Sequence, residues 1–316
     1  MTEQKIPDSL KIGPGPVAVP AAPAAVRDNF KGVIWALISV FGASLMTLAV
    51  RGVTLELDSR MAVMFRAGFA SVLILLALVL WAGLRQQMQF SKPWSHVIRG
   101  GLIGVSTNLG FYTLAHIPLA TATVLFFTAP IFATLLGAFV HGEPVGPRRI
   151  AAIFAGFLGA LIILRPGFEA FHPAMLTALG SSALFAIALS LSRNLANADG
   201  ALSTYFSSVV MTVLVTLPVA LPVWAWPQTG ITWFAIAVLV ITSALRGVAD
   251  IQAYRYGEAA ILAPVMYLRL VLIGIGGYLL FSQTIDWPTG IGAAVIIAAT
   301  LYIARREARL KVAKAR

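Results

Sequence analysis

Four ionisable side chains fall inside runs that are otherwise apolar: Arg66, Arg246, Asp250 and Arg269. A charge in hydrocarbon is costly, so such groups face protein or a water-filled cavity and mark candidate ligand or ion sites. Arg246 and Asp250 stand four residues apart, the spacing of an intrahelical pair on one face. Because Asp250 falls near one end of its run, the two groups can instead reach the interface. Arg269 is deeper, in a run that begins near Ile261, where snorkelling is harder. Three arginines against one aspartate leave an excess of positive charge. A carboxylate or phosphate on a cargo answers that excess, since guanidinium binds planar anions through paired hydrogen bonds. Backbone carbonyls freed at a Pro264 kink answer it too. Arg66 sits closer to the outer end of its run.

Uncharged groups at mid-depth form a second set of candidates. Asn108 and Tyr112 share a helix face at i, i+4, and Tyr205 and Ser208 do so at i, i+3. Phe126 and Phe127 precede Pro130, whose missing donor should bend the chain. Tyr267 and Arg269 cannot share a face, because two residues along a helix turn about 200°. His116 falls at a helix end and reads as interfacial. The candidate binding set is therefore Arg269, Arg246, Asp250, Asn108, Tyr112, Tyr205, Tyr267 and Arg66.

Other chemistry is poorly supplied. The chain has no cysteine, which removes disulfides, thiolate metal sites and cysteine nucleophiles together. No HExxH, no paired-aspartate diphosphate motif, no glycine-framed serine and no GxxxxGK loop occur. The expectation is no catalytic residue, no metal, no cofactor and no direct ATP drive. An integral membrane enzyme is the competing class, and a receptor or scaffold would need a recognition domain or long loops.

The elements that position these residues are apolar helices. Of 316 residues 59% are hydrophobic and 11% charged, against roughly 25% charged in soluble domains. A soluble core could not hide this much apolar surface, so the bilayer is the solvent. About 20 apolar residues span hydrocarbon about 30 Å thick, and lipid requires that backbone groups pair within each helix. The expected spans are 32–50, 61–83, 98–117, 119–141, 149–165, 172–192, 202–223, 231–253, 260–282 and 287–304. Before them, residues 1–30 hold Pro14, Pro16, Pro20 and Pro23 among Gly and Ala, a composition that reads as a disordered cytoplasmic tail rather than a signal peptide.

The net charge of +11 suits nucleic acid only if the basic residues form a patch. They fall at the ends of apolar runs instead, so no nucleic-acid partner is expected. With the N-terminus inside, 17 Lys and Arg lie in inside segments, ending in the basic tail 305–316. Only Arg51, Arg60 and Arg165 lie outside. This split predicts an N-in, C-in chain in a bacterial inner membrane. Trp35 and Trp81 fall near inner ends, and Trp224, Trp226, Trp233 and Trp287 near outer ends, as interfacial anchors do.

The chain also repeats itself at an offset near 140 residues. Phe111-Tyr112-Thr113-Leu114-Ala115 answers to Ala253-Tyr254-Arg255-Tyr256-Gly257, and Gly137 to Glu143 answers to Gly277 to Gln283. Five helices per copy is an odd number, so the copies insert in opposite directions, a physical route to alternating access. Small residues at Ala152, Gly156 and Ala160 permit close packing inside the bundle or a dimer contact.

The run from Tyr112 through Ala120-Thr121-Ala122, Pro130, Gly142-Glu143 and Gly156-Phe157-Leu158-Gly159 resembles the EamA domain of the drug/metabolite transporter superfamily. Ala253-Tyr254-Arg255-Tyr256 with Ala263-Pro264, and Met64-Phe65-Arg66-Ala67, are similar to it as well. Gln283 departs from the pattern, standing where the second copy often repeats the acid of Glu143. The resemblance covers residues 30–304. It implies an all-α membrane protein of ten helices in two inverted EamA repeats, 31–166 and 167–304, around a central cavity. It implies transport of a small metabolite, with an amino acid or related carboxylate-bearing compound first and a riboflavin-like vitamin second. A proton gradient, a substrate gradient or facilitated diffusion would drive a monomer or homodimer, for export or uptake.

Overall fold

In a computed structural model the described residues, 28–141, 147–164, 171–256 and 259–314, are almost entirely helical. The helices are α1 (Asn29–Val53), α2 (Ser59–Leu80), the short α3 (Ala82–Gln86), α4 (Pro93–His116), α5 (Leu119–Phe126), α6 (Ala129–His141), α7 (Pro147–Leu164), α8 (Ala174–Ala220), α9 (Gly230–Tyr256), α10 (Ala259–Phe281) and α11 (Trp287–Lys314). Six stretches are long and apolar enough to cross a membrane: Phe30–Val53, Ser59–Leu80, Leu119–Leu136, Ala174–Ser192, Ala198–Val223 and Gly230–Asp250. Ile150–Leu164, Val265–Phe281 and Trp287–Tyr302 are apolar but shorter.

Local chemistry explains the boundaries. Asp58 caps α2 by accepting the Arg60 N–H at 2.8 Å, and Asp28 caps α1 through Lys31 N–H at 3.1 Å. The single run expected over 119–141 is broken at Phe127–Thr128, just ahead of Pro130, so α5 and α6 are separate helices. In the other direction, the two runs expected at 172–192 and 202–223 join without a loop. They remain two helical segments, before and after Gly200, whose non-helical backbone with φ of +82° is open to glycine and strained for other residues.

Packing joins distant parts of the chain. α1 lies along α9 and α10, α4 along both segments of α8, α2 on α8, and α7 on α11. The main apolar core takes Val50 and Val53 from α1, Met61 from α2, Leu119 and Leu125 from α5, Leu239 from α9 and Ile296 from α11. The stripe Ala152, Gly156, Ala160 turns into the bundle. A Cβ on Gly156 would meet Ile131 of α6 and lie 3.6 Å from Ala299 of α11. Phe154, Leu158 and Leu161, on other faces of α7, are exposed to the lipid-facing surface.

Several residues used in the sequence reading lie outside the described ones: the tail 1–27, Gly142, Glu143, Arg165, Gly257, and Lys5 and Lys11 within that tail.

Candidate polar site within the helix bundle

The site begins with helix α2, which buries Met61, Ala62, Val63, Phe65 and Ala67 and so turns Arg66 toward the bundle. The Arg66 guanidinium lies 5.5 Å from the centre of the Phe111 ring of α4, a cation–π placement. It is within electrostatic reach of Tyr205 on α8 and Arg246 on α9. Its Nε is buried without a hydrogen-bond partner among the described residues.

Among the described residues α9 supplies the one carboxylate of the site. Arg246 Nε stands 3.5 Å from Asp250 Oδ2, both side chains about one-third exposed. The other carboxylate oxygen accepts a hydrogen bond from Ser39 Oγ of α1. Gly42 makes this crossing close: a Cβ there would lie 3.5 Å from Thr242 O and 3.6 Å from Arg246 N. Asp250 is therefore tied to two helices, and the expected i, i+4 pair is present but loose.

Arg269 completes the group from α10. Its Nη2 donates to Thr47 Oγ1 at 2.9 Å, and that hydroxyl, fully buried, donates in turn to Ala43 O at 2.9 Å. The hydroxyl thus has a lone pair free for the guanidinium, and the described bond goes to α1 rather than to a carbonyl near Pro264. Arg269 Nε is buried and unpartnered, as are Ser71 Oγ and Gln252 Oε1. Arg269 is also within electrostatic reach of Arg246 and Asp250. Arg66, Arg246, Asp250, Arg269 and Tyr205 therefore form one neighbourhood, with three positive charges against one negative.

The remaining candidates stand elsewhere. Asn108 is in the α4–α8 seam, donating to Gly104 O at 2.9 Å and Thr216 Oγ1 at 2.8 Å. Tyr112 is exposed on the same stripe as Ile98 and Val105, and its ring lies tilted against His116 with centroids 4.0 Å apart. Tyr267 packs edge-on against Phe127 at 4.9 Å, two residues from Arg269 along α10. Ser208 is taken up by Arg99.

Sequence reading missed Ser39 and Thr47, which are small polar residues in an apolar helix. They stand eight residues apart on α1 and meet different helices, Ser39 facing Asp250 of α9 and Thr47 facing Arg269 of α10. It also missed a buried His96–Asp199 pair. Near the end of α1, Arg51 Nη1 donates to Leu114 O at 3.2 Å and to Ala115 O, capping the C-terminus of α4. Glu56 accepts bonds from Gln228 N, Thr229 Oγ1 and Thr232 Oγ1, which hold its carboxyl down to about 2.

Comparison with known proteins identifies the family. The profile of the EamA-like transporter family matches residues 30–165. The S-adenosylmethionine uptake transporter of Rickettsia felis is 30% identical over 283 residues, covering 90% of this chain and 95% of the relative. The chain belongs to the EamA-like transporter family. As an EamA-like transporter of the drug/metabolite transporter superfamily it is a multi-pass membrane carrier and not an enzyme. The riboflavin transporter of Vibrio cholerae is 26% identical over 240 residues, 76% of this chain and 80% of that one. A solved crystal structure shares the EamA-like transporter's fold at a TM-score of 0.60 and 20% identity, over 88% of this chain and all of that one.

Proposed function

We propose that the protein moves a small carboxylate-bearing metabolite, an amino acid or amino-acid derivative, by alternating access across the bacterial inner membrane. The observation that carries this reading is the buried excess of guanidinium. Among the described residues Arg66 and Arg269 each leave Nε without a partner, and the one carboxylate near them, Asp250, is shared with Ser39 and Arg246. An anionic group on the cargo would offset that charge through bidentate bonds, while Asp250 would receive a cationic group. S-adenosylmethionine, named for the Rickettsia felis relative, carries both kinds of group.

Ten helices in inverted halves, 31–166 and 167–304, with both termini inside, accommodate this reading. Exchanging the halves turns the α1–α9 contact into the contact of the first α8 segment with α4. It turns α7–α11 and α2–α8 into themselves. Such paired contacts let the halves rock around a midplane site. α4, α7, α10 and α11 then supply the four spans beyond the six that length and apolarity mark.

A flavin-like vitamin is the second reading, favoured by the Phe127–Tyr267 ring pair beside Arg269 and by the riboflavin relative. Thermal-shift measurements on purified protein with S-adenosylmethionine, common amino acids and riboflavin, followed by liposome flux of each stabilising compound, decide between them. Flux of a carboxylate-bearing compound that keeps its apparent affinity in Arg269→Ala would overturn the proposed site.

A further inference from the structure

A second buried polar cluster lies apart from the arginine site, where α4 begins and α8 bends. His96 is 3% exposed. Its Nε2 is 2.9 Å from Asp199 Oδ2, and its Nδ1 is 2.9 Å from Ser207 Oγ. Asp199, adjacent to the Gly200 bend, also accepts the Ser91 N–H at 2.9 Å through Oδ1 and is reached by the backbone of Lys92. One turn along α4, Arg99 donates to Ser192 Oγ at 2.7 Å, to Thr204 O at 2.9 Å and to Ser208 Oγ. Among the described residues the charged groups against the imidazole are thus Asp199 from α8 and Arg99 from its own helix. The edge of Phe90 covers one side of the ring, with centroids 5.1 Å apart.

Hydrogen-bond accounting makes the ring's charge consequential. The Asp199 carboxylate can only accept, so Nε2 carries a proton. Ser207 Oγ donates to Thr204 O at 3.0 Å, so in that arrangement it must accept from Nδ1–H, which makes the ring an imidazolium. But Thr204 O also receives Ser208 Oγ at 2.6 Å and Arg99 Nη1, which puts three side-chain donors on one helical carbonyl. When Nδ1 loses its proton, the Ser207 hydroxyl can turn and donate to Nδ1, relieving the crowded carbonyl in the first turn after the bend. Histidine is the side chain whose ordinary titration range meets physiological pH.

We infer that His96, held by Asp199 and Ser207, is a proton-binding site that links protonation to the bend of α8 at Gly200. The proton bound is taken from hydronium onto Nδ1, and water is released. As this pair joins α4 of one half to the joint of the other, proton release loosens one anchor between them. Its role as the coupling site for carriage rests on the transport reading above; the protonation itself does not.

Two measurements test it on the full chain. In lipid nanodiscs with ¹⁵N-labelled histidine, the resonance lost in His96→Gln identifies the ring. It is expected to pass from doubly to singly protonated as pH is raised, and Asp199→Asn is expected to alter that transition. A ring that keeps one protonation state throughout overturns the inference. In proteoliposomes, radiolabelled S-adenosylmethionine is followed with and without a one-unit pH gradient, which for one coupled proton supports about a tenfold accumulation ratio. Loss of that accumulation in His96→Gln with exchange at equal pH retained supports coupling. Accumulation equal to wild type overturns it. Absence of any exchange in wild type strikes the cargo reading instead and leaves the titration to decide the proton site.

Discussion

Arg269 of α10 donates from Nη2 to Thr47 Oγ1 of α1 at 2.9 Å, joining two residues more than 200 positions apart deep in the bundle. Thr47 is saturated by this bond and its own to Ala43 O, whereas the guanidinium keeps Nε unpartnered. The hydroxyl holds one end of the guanidinium, and on the proposed reading its remaining donors meet the cargo. Arg269→Lys keeps the charge but loses the planar fork. Charged hydrogen bonds contribute about 1.5–3 kcal/mol each, so the apparent KM for a carboxylate cargo should rise roughly tenfold or more in Arg269→Ala. Arg269→Lys should be intermediate, and Thr47→Val should weaken binding less than either. Liposome flux at varied cargo concentration checks the order.

Glu56 ties the α1–α2 loop to the start of α9 through Gln228, Thr229 and Thr232, and these bonds hold its carboxyl near 2 in the folded chain. A depressed folded-state value contributes stability that is fully present above the ordinary glutamate range and lost as pH falls toward the folded value. The melting temperature of the wild type should therefore fall between about pH 4.5 and pH 2. Glu56→Gln should show a smaller drop over that window. An equal drop in both proteins would remove Glu56 from the account.

α7 and α11 touch backbone to backbone. A Cβ on Gly292 would stand 2.6 Å from Gly159 O and 2.4 Å from Ile163 Cγ1, while a Cβ on Gly101 would meet nothing within 4 Å. The carbonyl cannot move aside as a side-chain tip can. Overpacking a close contact costs about 1–3 kcal/mol, so Gly292→Ala should lower the melting temperature in detergent. Gly101→Ala should leave it unchanged or raise it.

The N-terminus of α5 follows Pro118, which has no capping side chain. Its Leu119 N–H is taken instead by Gln283 Oε1, from beyond the end of α10, at 2.8 Å. Gln283→Glu keeps the acceptor and should be tolerated, whereas Gln283→Ala leaves the donor unpaired at about 1–3 kcal/mol. Comparative thermal unfolding of the two variants measures the difference. The residue that breaks the acidic pattern of the second repeat thus has a definite structural partner.

Much of this architecture was written in the order of residues. Apolar runs too long for a soluble core, the scarcity of charge and the few arginines left inside those runs already marked a membrane carrier with a polar interior, as Arg66, Arg246 and Arg269 illustrate. The break before Pro130 was legible because proline removes a donor whatever its neighbours. Rotation of each helix about its axis was not legible. In lipid a helix is apolar on its outer face as well as its packed face, so the contrast that reveals a buried face in water is largely erased. Ser39 therefore gave no sign that it faces Asp250, 211 residues away, nor His96 that Asp199 would close on it. Tyr112 and Asn108 share a face of α4, yet Asn108 bonds Thr216 of α8 while Tyr112 stays exposed. Which side chains meet was decided by helix packing, where close approach at Gly42 and Gly104 sets the angle and depth of each crossing.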